Sequence, residues 1–91
     1  MVEYSKHALE RMRVRRLSKR QVGITIRDPD FSYKDIESSA LVAVKRYKER
    51  YAVVIFTIKE KRARVITVYH ASDVDRLIRR KLQRGAWLVR G

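Results

Sequence analysis

Two β-rich segments divided by four charged residues constrain this chain more than any other feature of it. Tyr51-Ala-Val-Val-Ile-Phe-Thr-Ile58 and Ala63-Arg-Val-Ile-Thr-Val-Tyr-His70 are dominated by β-branched and aromatic residues, and Lys59-Glu-Lys-Arg62 lies between them. That pattern predicts a β-hairpin with a moderately long, charged loop. Apolar residues in 51–58 fall on both parities, so the strand should be central and covered on both faces. On a regular strand, Arg64, Ile66, Val68 and His70 share one face and Val65, Thr67 and Tyr69 the other. A core strand that also carries Thr, Tyr, His and Arg is the place to expect chemistry.

Upstream, Ser5 is placed to cap a helix from Lys6 to Arg16. Its projection gives Tyr4, Ala8, Leu9 and Met12 as the buried stripe, with His7 and Arg11 together along one flank. Surface pairing of His7 with Glu3 or Glu10 is the plain alternative to a functional role. Residues 17–30 carry two patterns. Val22, Ile24 and Ile26 alternate as in a strand, whereas Ser18-Lys-Arg-Gln21 forms a capping box and Asp28-Pro29 a stop. Start and stop signals agree, so a helix is expected over 18–27. Phe31–Asp35 reads as a short edge strand, and Ala40–Tyr47 as a longer one that turns at Lys48–Arg50 to pair antiparallel with 51–58.

Ser72 is expected to cap a last helix from Asp73 to Arg84, stopped by Gly85, with Val74, Leu77, Ile78 and Leu82 buried and Arg76, Arg79, Arg80 and Arg84 on its other faces. The tail from Ala86 to Gly91 either adds a short strand or packs Trp87 over an open edge. The sum is one α+β domain over residues 1–91: two N-terminal helices on an antiparallel meander of three to four strands, plus a C-terminal helix.

Charge narrows the function. Twenty-three Lys and Arg face ten Asp and Glu, for a formal net charge of +13. A field of that size favours polyanions, and the 15 arginines to 8 lysines suit forked phosphate recognition. Nucleic acid is the first candidate partner and an acidic protein the second; an anionic membrane surface is a distant third. A solvated surface of ion pairs is the competing explanation, but ten acids are too few to pair most of these cations. The absence of cysteine and the polar start, Met1 to His7, fit a cytoplasmic protein without a secretory leader. Two histidines and no cysteine do not make a standard zinc site, and there is no glycine-rich phosphate loop, so no metal or cofactor is expected. Lys45, Arg46, Lys48, Arg50 and Arg62 gather at predicted strand ends around Tyr47. Aromatics within a basic rim suit stacking on unpaired RNA bases, although charged hairpin ends also protect sheets from edge pairing.

The block Tyr4-Ser-Lys-His-Ala-Leu-Glu-Arg-Met12, the following Arg15-Arg-Leu-Ser18, the Asp28-Pro29 turn and Ile66-Thr-Val-Tyr69 together resemble the DUF4258 family of small prokaryotic proteins, over about residues 4–70. That family is thought to be related to the BrnT and RelE-type toxins. The resemblance therefore implies a RelE/barnase-like fold with RNA on the open face of the sheet, and a toxin with endoribonuclease activity, acting on RNA either free or as ribosome-bound mRNA. It also implies an acidic antitoxin as partner.

Carried over residue by residue, the resemblance marks His7 and Arg11 in the first helix and Thr67 and Tyr69 in the last long strand. Arg64 and His70 join them on position and chemistry alone. Metal-free cleavage by the ribose 2′-hydroxyl needs a proton acceptor, a cation for the phosphorane and an acid for the leaving oxygen. His7 suits proton transfer, Arg11 and Arg64 charge stabilisation, and Thr67 or Tyr69 donation to a phosphate oxygen, with His70 as a second proton-transfer group. On a regular strand, Arg64 and His70 point away from Thr67 and Tyr69, so the six residues should not line one site. The rival to an enzyme is a non-catalytic nucleic-acid-binding protein.

Overall fold

In the computed structural model, which describes residues 2–90, the elements run β1 (Val2–Tyr4), α1 (Lys6–Arg15), α2 (Lys19–Arg27), β2 (Phe31–Asp35), β3 (Leu41–Tyr47), β4 (Arg50–Lys59), β5 (Arg62–Ala71), α3 (Val74–Gln83) and β6 (Trp87–Val89). Met1 and Gly91, the outer ends of the N-terminal stretch and of the tail, lie outside the described residues. These elements form an α+β domain of three helices and one mixed sheet in the order β1-β5-β4-β3-β2-β6. The sheet has six strands rather than three or four. The two additions are three residues each: β1 pairs parallel with β5, and β6 pairs antiparallel with β2. Phe31–Asp35 is consequently an interior strand, not an edge.

The central strand is the expected one. Ala52, Val54 and Phe56 of β4 pack on one side of the sheet against Ala8, Met12, Leu17 and Val22 from the first two helices. Val53 packs on the other side with Tyr33, Val42, Val44, Val74, Ile78 and Trp87. Both faces are therefore covered, the first by α1 and α2, the second in part by α3. Trp87 is buried and stacks on Tyr33 with ring centroids 5.4 Å apart. It is the largest fully buried side chain on the second face.

Local chemistry sets the helix ends. Ser18 accepts from the Gln21 backbone N–H while the Gln21 side chain accepts from the Ser18 N–H, the reciprocal cap that decides residues 19–27 in favour of helix. Asp73, not Ser72, caps α3, its carboxylate accepting the Arg76 N–H at 3.2 Å. Arg16, at φ 56°, ends α1 one residue before the expected boundary. Leu9 is 43% exposed and Leu82 37%, so neither belongs to its expected stripe. Tyr4 does pack on the first core, but from strand β1 rather than from α1.

The charged hinge is tighter than expected. Lys59 and Arg62 are paired strand residues, and only Glu60 and Lys61 turn, at φ 53° and 65°. Two successive left-handed residues match the twist of a two-residue hairpin, a geometry usually given to Asn-Gly.

A second correction lies within β5. Ile55 pairs with Thr67 but Phe56 pairs with Val65, so Ile66 is an extra, bulged residue. The bulge resets the alternation. Val65 and Val68 both enter the first core, while Thr67 and Tyr69 lie on the opposite face beside Ile55 and Val53. No helix among the described residues is long and apolar enough to cross a membrane.

Candidate functional site

Helix α1 is pinned along the outer edge of β5 at both its ends. At the start, the Ser5 N–H donates to the Val65 carbonyl at 3.0 Å, and the Ser5 hydroxyl donates to the Ile66 carbonyl at 3.0 Å while accepting the Ala8 N–H. At the finish, His70 Nε2 lies 2.9 Å from the Arg15 carbonyl. A carbonyl only accepts, so Nε2 carries the hydrogen. The last carbonyls of a helix lack intrahelical partners, and His70 supplies one.

Because β1 ends at Tyr4, it pairs only as far as Val65, and the α1 flank runs beside the rest of β5. His7, Arg11 and Arg15, spaced four residues apart, form one stripe on that flank. They line a shallow groove of about 330 Å³ whose opposite wall is Thr67, Tyr69 and His70. Five of the six expected catalytic residues thus share one groove. The obstacle expected from alternation does not arise, because the groove follows the strand edge rather than one face. Arg64 is the exception. It lies beyond the bulge, paired with Glu3 and Thr57, and does not line the groove. Arg15 takes its place. Its sequence signal was the continued four-residue spacing from His7 through Arg11.

His7, Arg11 and Arg15 are exposed, and the ion pairs among the described residues involve none of them. His7 pairs with neither Glu3 nor Glu10, and Glu3 is instead 3.7 Å from Arg62. Tyr69 is half-buried; burial, then the negative charge of Asp35, push its hydroxyl above the ordinary range, so it stays a protonated donor. His70 differs from His7. Its Nε2 is held by Arg15, and its Nδ1 is buried without a partner. A histidine fixed this way orients the helix end, with its Nε2 hydrogen directed at the Arg15 carbonyl.

The basic residues expected to bind RNA are dispersed. Lys45 donates to the Asp28 carbonyl at 2.8 Å and lies 3.3 Å from its carboxylate, and Arg46 Nε donates to the Lys48 carbonyl. The Tyr47 hydroxyl meets the Gln21 carbonyl at 2.9 Å and the Thr25 hydroxyl at 3.1 Å, which ties that ring to α2 instead of leaving it to stack on a base. Tyr47, Lys48 and Arg50 line a depression with Gln21, Glu49 and His70. Arg62 sits at the far end of the hairpin. With α3 on the second face, the sheet also lacks the wide open face expected to hold RNA.

Two further grooves matter. One continues from Tyr69 and His70 to Arg76 and Arg80 of α3. The other, at the hairpin-tip end, has Val2, Tyr4, Ile26 and Ile58 among Lys19, Arg20, Arg27 and Lys61. Among the described residues there is no group of three or more His, Cys, Asp or Glu placed to hold a metal ion.

The family model of DUF4258, a domain of unknown function, matches residues 4–70. The chain belongs to that family. No curated protein and no solved structure matches it.

Proposed function

We propose that this DUF4258 protein is a RelE/BrnT-like toxin of RelE/barnase-like fold, a cytoplasmic endoribonuclease that cleaves RNA without a metal. The observation that carries this is the shared groove of His7, Arg11, Arg15, Thr67 and Tyr69, in which the cations have no acidic partner. The 2′-oxygen attacks the adjacent phosphorus as His7 takes its proton. The P–O5′ bond breaks, and the departing 5′ oxygen recovers a proton from the imidazolium directly or through water. Arg11 and Arg15 hold the charge that builds on the non-bridging oxygens, and the Thr67 and Tyr69 hydroxyls donate to them.

The test is RNA cleavage in EDTA. Scission leaving 2′,3′-cyclic phosphate ends is expected, slowed about 10²–10⁴-fold in His7→Ala. Equal cleavage by wild type and His7→Ala would remove the assignment. RNA that is bound but left intact, on translating ribosomes too, would favour a non-catalytic nucleic-acid-binding protein. The wide scatter of cations away from His7 is the observation that favours that alternative. An acidic antitoxin suits the groove at the hairpin tip, where apolar Val2, Ile26 and Ile58 lie among four cations. Co-purification of a small acidic protein, abolished by Ile58→Asp, is the outcome that would support it.

A further inference from the structure

We infer that the ligand of this site is a single polynucleotide strand that bends over the edge of β5, held by Arg11 and Arg15 on one side of the sheet and by Arg76 and Arg80 on the other. The inference rests on the RNA reading above and adds to it a path, a second set of contacts on α3 and a preference for unpaired over duplex nucleic acid.

Helices α1 and α3 lie on opposite faces of the sheet, since α1 packs on Ala52 and Val54 while α3 packs with Val53 between them. Their exposed arginines nevertheless border connected grooves, because Tyr69 and His70 line both. The crest between the grooves is the outer edge of β5, opposite β4, where β1 has ended at Val65 and, among the described residues, no further strand pairs with Tyr69 or His70. The ion pairs among the described residues involve none of Arg11, Arg15, Arg76 or Arg80. The one acid bordering the α3 groove, Asp73, accepts the Arg76 N–H as the helix cap.

A ligand that touches both arginine pairs must change direction sharply within a molecule of 32 × 31 × 22 Å. A duplex, with a persistence length of about 150 base pairs, resists such a turn, whereas a single strand bends at each nucleotide. Tyr69 at the crest offers a half-buried aromatic ring on which a base unstacked by the bend can rest.

The experiment is fluorescence anisotropy with a labelled RNA of about 12 nucleotides, single-stranded and as a duplex, over a salt series. The proteins are wild type, Arg11→Ala/Arg15→Ala, Arg76→Ala/Arg80→Ala and, on the hairpin-tip side, Arg20→Ala/Arg27→Ala, each checked for unchanged circular dichroism. The single strand should bind more tightly than the duplex. Each groove pair should lower the slope of log K against log salt by about 1.4, as expected for two lost phosphate contacts on a single strand, and the control pair should lower it less. If the α1 pair matters and the α3 pair behaves as the control, or if the duplex binds as well, the bent path is wrong while the RNA reading stands. If wild type binds neither RNA, both fall.

Discussion

The two faces of the sheet are built differently. The first face is packed by α1 and α2 with small aliphatic residues, among them Ala8, Ala43, Ala52, Val22 and Val54, and every buried member of that cluster lies within the family-matched residues 4–70. The second face depends on Val74, Ile78 and Trp87, all from α3 and β6 and all outside the match. The proposed reacting groups thus sit on the matched unit, while the far half of the proposed ligand path comes from the following segment. The difference teaches that chemistry and reach can be separated in this molecule. One half is set by a packed α1–β5 edge, the other by a helix that packs through Val74 and Ile78 on a cluster whose largest member is Trp87.

Three substitutions test that division. The largest effect is expected from Trp87→Ala, about 3–5 kcal/mol, read from chemical denaturation beside Met12→Ala, for which about 2–5 kcal/mol is expected. If amides of β3, β4 and β5 keep their exchange protection in Trp87→Ala while those of α3 lose it, the second face is a detachable layer. If all are lost together, the two faces form one cooperative unit. His70→Ala should cost less, about 0.5–1.5 kcal/mol for the bond to the Arg15 carbonyl, with faster exchange at Leu17, whose N–H closes the same helix end. An unchanged Leu17 rate would mean that His70 does not hold α1 to β5.

The smallest effect is on alkaline stability. Burial pushes the hydroxyls of Tyr69 and Tyr33, one toward each end of the second face, above their ordinary 10.0, as it does Tyr4 on the first. The folded protein holds these protons more tightly than the unfolded chain. Their contribution is complete below about pH 10 and is lost as the pH rises past it. Melting temperature should fall over that range, and Tyr69→Phe should fall less steeply. Parallel curves for the two proteins would deny Tyr69 the role.

Much of this was legible from residue types. The central strand, the reciprocal cap at Ser18 and Gln21, and the stripe begun by His7 and Arg11 follow from local chemistry that needs no tertiary partner. The elements that escaped are those specified by tertiary contact. Val2-Glu-Tyr4 is too short to show alternation, and Tyr4 stands four residues before Ala8, so it fits a helical stripe equally well. Nothing in Val65-Ile-Thr67 marks a bulge, since bulges depend on the partner strand. That one extra residue separates Val65 from the face of Thr67 and returns Arg64 to it, yet Arg64, named on position and chemistry alone, pairs with Glu3 and Thr57 beyond the end of the groove. Ser72 and Asp73 are both good caps, and their order alone does not decide between them.

The strand order carries a consequence for how the molecule assembles. Strands β2 to β5 form an uninterrupted meander of neighbours in sequence, and the two outermost places are filled by the beginning and the end of the described chain. Pairing within the meander closes short loops, whereas Val2–Tyr4 must find Ala63–Val65 across some sixty residues. We expect the meander to gain protection first in pulse-labelled exchange and β1 last; simultaneous protection would contradict this. Each flank of the finished sheet then carries a clasp of three residues, too short to recruit a foreign strand, and beyond Val65 the edge of β5 is flanked by α1 instead. On a chain emerging from synthesis, α1 would wait unanchored until β5 arrived, and only then would His7 meet Thr67.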